Sequence, residues 1–168
     1  MPKIKEGTSM NVVALQQPSV PADINRIIKA LAAQCPLVGP RVTISQHWVD
    51  QFTALTGDDN PIHKDSGDHE LFAVPIVPGL LMLALLPRLR PDIPIDIPGT
   101  QKVIESVSCR FVRPLQVGSA ILMEVDVKEA TTDRRRGIRV PCSFQLLSDT
   151  NKMIARGQLD LLFAFELR

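Results

Sequence analysis

From residue 102 onward, apolar and polar positions alternate with a period of two. Val107, Cys109 and Phe111 alternate with Ser108 and Arg110, and Ile121, Met123, Val125 and Val127 with Leu122, Glu124 and Asp126. Ile138, Val140, Cys142, Phe144 and Leu146 alternate with Arg139, Ser143 and Gln145, and Leu159, Leu161 and Phe163 with Gln158 and Asp160. Successive strand side chains point to opposite faces, so each run predicts a long strand with one buried face. The connections Pro114 to Gly118, Thr131 to Gly137 and Ser148 to Asn151 are short and rich in turn residues. They predict antiparallel neighbours. Pro141 has no amide hydrogen, which predicts an edge position or a bulge there.

Upstream the spacing is helical. Ile24, Ile27, Ile28 and Leu31 fall on one face of a short helix opened by Pro21 and ended by Pro36 and Pro40. Residues 1–20 are polar and irregular. After a short strand over Val42 to Ile44, Ser45 is a candidate N-cap. Trp48, Phe52 and Leu55 then form an apolar stripe, and Gly57 fits the helix stop. Residues 58–75 read as a polar loop. Gly79 to Leu86 is apolar on every side, which predicts a helix buried on every side, stopped by Pro87 and Pro91. Pro91 to Pro98, with alternating Ile, reads as an extended crossover. A sheet with one apolar face must cover something, and an all-apolar helix must be covered. The expected architecture is therefore α+β, a long antiparallel sheet curled around a central helix. Residues 1–40 are expected to form an N-terminal extension with one short helix, and 41–168 the main domain.

Composition narrows the function. The chain has 168 residues, 45% hydrophobic and 22% charged, with 19 Lys and Arg against 18 Asp and Glu for a net charge of +1. That balance lacks the basic excess of a nucleic-acid binder. No signal peptide is expected, and Ile76 to Leu86, broken by Pro78 and Gly79, is too short to span a membrane. Cys35, Cys109 and Cys142 are odd in number and widely spaced, so reduced packed thiols in a cytoplasmic protein are expected rather than disulfides or zinc ligands.

The chemistry concentrates in Asp58-Asp59-Asn60-Pro61-Ile62-His63. A carboxylate and an imidazole on a loop stiffened by Pro61 can converge on a small molecule such as water. Addition of water across an activated double bond needs a base for the water and an acid for the carbon beside the carbonyl. Asp58 and His63 supply both kinds of group. Negative charge on the carbonyl oxygen needs a donor, and Gly79 opens the apolar helix where amides are unpaired. The same loop composition also suits a plain structural turn. Asp58, Asp59, His63, Asp65, Asp68 and His69 are possible metal ligands, but their spacing matches no established site, so neither metal nor cofactor is expected. Arg134 to Arg136 reads as a solvated hairpin tip, with a phosphate contact as the alternative, and Arg88 and Arg90 allow the same contact.

At Asp58-x-Asn60-Pro61-x-His63 the chain resembles the MaoC-like family of (R)-specific enoyl-thioester hydratases and dehydratases. Phe72, Pro75-Ile76-Val77, Gly79-Leu80-Leu81 and the block from Ser108 to Val127 carry the likeness further, over about Val42 to Phe163. The resemblance implies a hot-dog fold acting on acyl-CoA or acyl-carrier-protein thioesters in fatty acid metabolism, as a homodimer with no nucleic-acid or membrane partner. The reaction implied is reversible hydration of trans-2-enoyl thioesters to (3R)-3-hydroxyacyl thioesters. Asp58 and His63 would be the catalytic pair, Asn60 a support, and the Gly79 amide the donor to the thioester carbonyl. The chain departs from the family at Pro78, where His is usual, and in a shorter segment between His63 and Phe72. Those departures keep two alternatives open, a catalytically silent acyl-thioester-binding domain and a thioesterase of the same fold.

Overall fold

The computed structural model describes residues 24–65, 72–93, 95, 97, 100–133 and 136–165. The readings placed on Pro21, residues 1–20, Asp68, His69, Arg134 and Arg135 lie outside them. The elements in chain order are α1 (Ile24–Ala32), β1 (Leu37–Val38), β2 (Val42–Thr43), α2 (Gln46–Thr56), α3 (Gly79–Ala84) and α4 (Leu86–Leu89). β3 (Thr100–Phe111), β4 (Ala120–Val127), β5 (Thr131–Asp133), β6 (Gly137–Ser148) and β7 (Met153–Phe165) follow, and a 3-10 turn spans Pro61–His63.

The four period-two runs are β3, β4, β6 and β7, and with three short strands they form one seven-stranded antiparallel sheet, in the order β1-β4-β6-β7-β3, with β2 on β4 and β5 on β6. The register sets the alternation against the core. Val125, Phe144 and Gly157 are aligned across β4, β6 and β7 on the inner face, and Asp126, Ser143 and Gln158 are aligned on the outer face. Ile138, Val140, Cys142, Phe144 and Leu146 are buried under α3, α4 and the crossover, where Ile93, Ile95 and Ile97 are also buried. Burial raises the Cys109 thiol and pushes Cys142 up to about 12, so the latter is a packed, protonated group at neutral pH. All three cysteines are free thiols.

Several expectations are corrected. β3 and β4 are not neighbours: β3 pairs with β7 at the far edge. The connection after β3 is taken up elsewhere, with the Val112 and Arg113 amides donating to Ile154 O and the Val77 amide to Leu115 O. Turn residues therefore mark a crossing, not a hairpin. Pro141 lies in the interior strand β6. Its carbonyl accepts from the Lys128 amide, between the end of β4 and the start of β5. In an antiparallel pair a residue's N–H and C=O point to the same neighbour, and there three residues, Lys128 to Ala130, stand opposite two, Val140 and Pro141, so of the edge or bulge expected the bulge is what is found.

The helix pattern needs similar repair. The buried residue of α2 is Val49, with Trp48 and Phe52 half-buried, while Leu55 is 86% exposed. Ser45 caps α2 by accepting from the Trp48 amide, and Gly57 ends it at φ 72°. In α1, Ile24, Ile28 and Leu31 are buried and Ile27 faces outward. The apolar central helix is divided at Leu85 into α3 and α4, with Pro87 inside the first turn of α4 rather than after the helix. Leu81, Met82, Leu86 and Leu89 are buried, but Leu80 is 66% exposed. The central helix is therefore covered on its sheet side and open along Leu80. No helix among the described residues is long and apolar enough to cross a membrane.

Candidate active site

The site grows from the end of α2. Gly57 takes the left-handed conformation, and the chain turns into Asp58. The carboxylate is divided between its oxygens: Oδ1 accepts from the Asn60 amide at 3.3 Å, and Oδ2 faces His63 Nε2 at 3.5 Å. Asn60 in turn accepts from the Ile62 amide through its own Oδ1, which caps the 3-10 turn opened by Pro61. This local hydrogen bonding ties Asp58 to Asn60 and Asn60 to Ile62, each two positions on, with Pro61 inside the turn.

His63 is 7% exposed and is held from both ends. Its Nδ1 lies 2.7 Å from the Ile76 carbonyl, and that oxygen can only accept. Nδ1 therefore carries the hydrogen, and a neutral ring turns a bare Nε2 toward Asp58. The His63 backbone carbonyl accepts from Gln46 Nε2 at 2.9 Å, and the same amide reaches Asp50 Oδ1 at 2.8 Å. The Ile76 amide donates back to Ile62 O, and Ile76 pairs with Gln116. The loop is thus clamped between the first turn of α2 and the segment before α3. Gln46 and the Ile76 carbonyl were missed by sequence reasoning, since nothing local marks a side chain or carbonyl as a partner across a loop.

Gly79 begins α3 as expected, and Pro78 precedes it with no side-chain cap. Among the described residues the Gly79 amide has no hydrogen-bond acceptor. A Cβ at Gly79 would lie 2.8 Å from the Phe111 ring, so the missing side chain is first of all what lets that ring pack on the helix start. Phe111 ends β3 and is itself 40% exposed. No three potential metal ligands converge among the described residues. Two of the basic candidates are engaged elsewhere: Arg88 stacks over Trp48 at 4.9 Å, and Arg136 binds Glu105.

A long antiparallel sheet curled over a helix, with an acid-histidine loop at the helix approach, defines a hot-dog domain. The chain belongs to the MaoC-like family: the model of the MaoC like domain matches residues 29–143, more than half of it. No curated protein sequence matches the chain. Among solved structures it is similar to the monoamine oxidase regulatory protein from Archaeoglobus fulgius, at 19% identity and TM-score 0.63, covering 78% of this chain and 89% of that one. It is similar to an R-hydratase from Pseudomonas aeruginosa at 22% identity and TM-score 0.56, covering 80% and 86%. An (R)-hydratase from A. caviae involved in PHA biosynthesis gives 22% identity and TM-score 0.57, covering 75% and 96%. At these identities the likeness shows the fold.

Proposed function

We propose that the protein adds water reversibly to trans-2-enoyl thioesters of coenzyme A or acyl carrier protein, giving (3R)-3-hydroxyacyl thioesters. The observation that carries this reading is the Asp58 carboxylate facing His63 Nε2 across 3.5 Å, with the other ring nitrogen held against the Ile76 carbonyl. With a neutral ring both groups are acceptors and cannot satisfy each other. A water donating one hydrogen to each satisfies both and is held at a fixed angle. As its oxygen bonds to C3, Asp58 takes a proton, and the charge spreads to the thioester oxygen. The Gly79 amide is the donor for that oxygen. The protonated Asp58 then returns a proton to C2, so that H and OH are both delivered and the pair is regenerated. Asn60 supports the loop, and the chemistry calls for no cofactor.

The reading includes a cytoplasmic homodimer. β3 is an edge strand with Val103, Ile104 and Val107 each about 40% exposed, and a bare apolar edge invites a second sheet. In this reading residues 41–168 form the catalytic domain and 1–40 an extension, whose α1 and β1 pack on β4. One observation favours a second reading, a silent thioester-binding domain: the Phe111 ring rests on Gly79, where the thioester carbonyl has to arrive. Enoyl absorbance decides between them. Wild-type protein mixed with a short trans-2-enoyl-CoA, and with the carrier-protein thioester, is expected to bleach it. Asp58→Asn, with unchanged circular dichroism, is expected to be slower by about 10²–10⁴-fold. Thioester binding without bleaching on either carrier would establish the silent domain, and release of free thiol would identify a thioesterase.

A further inference from the structure

The outer face of the sheet carries a second polar constellation that the reaction does not use. The register aligns Gln145 on β6, Arg156 on β7 and Arg110 on β3. Beside them Ser143, Gln158 and Ser108 are aligned across the same strands. These side chains, with Met153, line a groove of about 610 Å³. Ser108 and Ser143 are short and the arginines and glutamines long, which hollows the face between them. The volume falls within the range of small-molecule sites.

Arg110 and Arg156 are direct cross-strand partners, both exposed. Like charges placed directly opposite each other destabilise a sheet. Neither guanidinium has a hydrogen bond or ion pair among the described residues. Asp126 also lines the groove, but on β4, with β6 between it and the arginine-bearing strand β7. That separation is roughly 10 Å, about one screening length. Glu124 ends the arginine row on β4 at the same remove. Asp160 stands further along the same face of β7, where it accepts from Ser106, so positive charge is concentrated at the Arg110–Arg156 row, with neutral hydroxyl and amide donors beside it.

We infer that this groove is a binding site for a phosphate-bearing small molecule, clasped between the Arg110 and Arg156 guanidiniums. A planar fork of N–H donors matches phosphate oxygens two at a time, and two opposed forks neutralise a dianion. Ser108 and Gln158, the next pair along the same strands, donate to the remaining oxygens or to the ligand body. Phe111, next to Arg110, packs on Gly79 on the inner face, so the groove lies across the sheet from the acid-histidine site. The inference does not rest on the hydratase reading.

Thermal unfolding and titration calorimetry with inorganic phosphate and with ADP test it on the full chain. Wild-type protein is expected to gain several degrees in Tm on adding either probe, and Arg156→Gln to weaken binding about tenfold or more. Without the probe the same variant is expected to melt higher than wild type, because the like-charge pair is gone. Arg110→Gln repeats the test from the other strand, and hydratase turnover stays unchanged in both. Tighter binding of ADP than of phosphate identifies a nucleotide-like ligand, and equal binding a free phosphate group. Equal binding of both probes by wild type and both variants, or no binding at all, overturns the proposal.

Discussion

Two pairs of arginines stand on the outer face of the same sheet, and they differ in what lies between them. Arg136 and Arg139 flank Glu105, which binds both. A bulge puts it there: Ile104 pairs with Leu161 and Ser106 with the adjacent Asp160, so Glu105 is the extra residue of β3. Arg110 and Arg156 oppose each other with no carboxylate between them. Polar groups whose partners are built in hold the fold, and groups without partners are open to a ligand. The His63 loop belongs to the first kind: Asp58 Oδ1, Asn60 Oδ1, His63 Nδ1 and the His63 carbonyl all have protein partners. Asp58 Oδ2 and His63 Nε2 face each other at 3.5 Å and have no other partner among the described residues.

The largest effect that tests this contrast is at His63. Asparagine keeps a donor near the place of Nδ1 but has nothing in the place of Nε2. His63→Asn is expected to hold its stability and lose about 10²–10⁴-fold in turnover. His63→Ala is expected to lose the same activity and also about 1–3 kcal/mol in urea unfolding, from the unpaired Ile76 carbonyl. Equal stability of the two variants would show that the Ile76 bond does not hold the ring.

A middling effect is expected where packing and binding compete. Gly79→Ala drives a methyl into the Phe111 ring and is expected to cost about 1–3 kcal/mol. Adding Phe111→Leu should recover most of that loss. If turnover recovers with it, the glycine serves the ring; if turnover stays low, it serves the substrate.

The smallest effect is at Glu105. The hydrogen bond from Arg139 and the charge of Arg136 hold its carboxyl below the ordinary carboxylate range. A lowered folded value means stability present above the unfolded value, about 4.3, and lost as pH falls through the folded one. Wild type is therefore expected to melt slightly above Glu105→Gln at pH 7, and the gap to close on acidification. A gap that persists at pH 2 would mean that the carboxylate charge is not what matters.

The strand pattern was legible because a half-buried strand must alternate, and every inner-face residue of β6 from Ile138 to Leu146 is buried as the alternation required. The loop was legible because its own hydrogen bonds are local: Asp58 to Asn60 and Asn60 to Ile62 each span two positions. The α2 stripe was misjudged at Leu55 because helical spacing shows which residues share a face, not how far the neighbouring element reaches along it. Nothing local pairs Arg110 with Arg156, because charges far apart in the chain gain meaning only when strands align them.

By itself the sequence determined the strand faces, the caps of α2 and the acid-histidine loop, since each depends on residues within a few positions of one another. The tertiary structure decided that β3 crosses to β7, that the gap between β4 and β5 accommodates Pro141, and that Ile76 fixes the tautomer of His63. It also decided which arginines meet a carboxylate. Those outcomes depend on strand order and register, which are set by burying the whole apolar face at once and are written in no single segment.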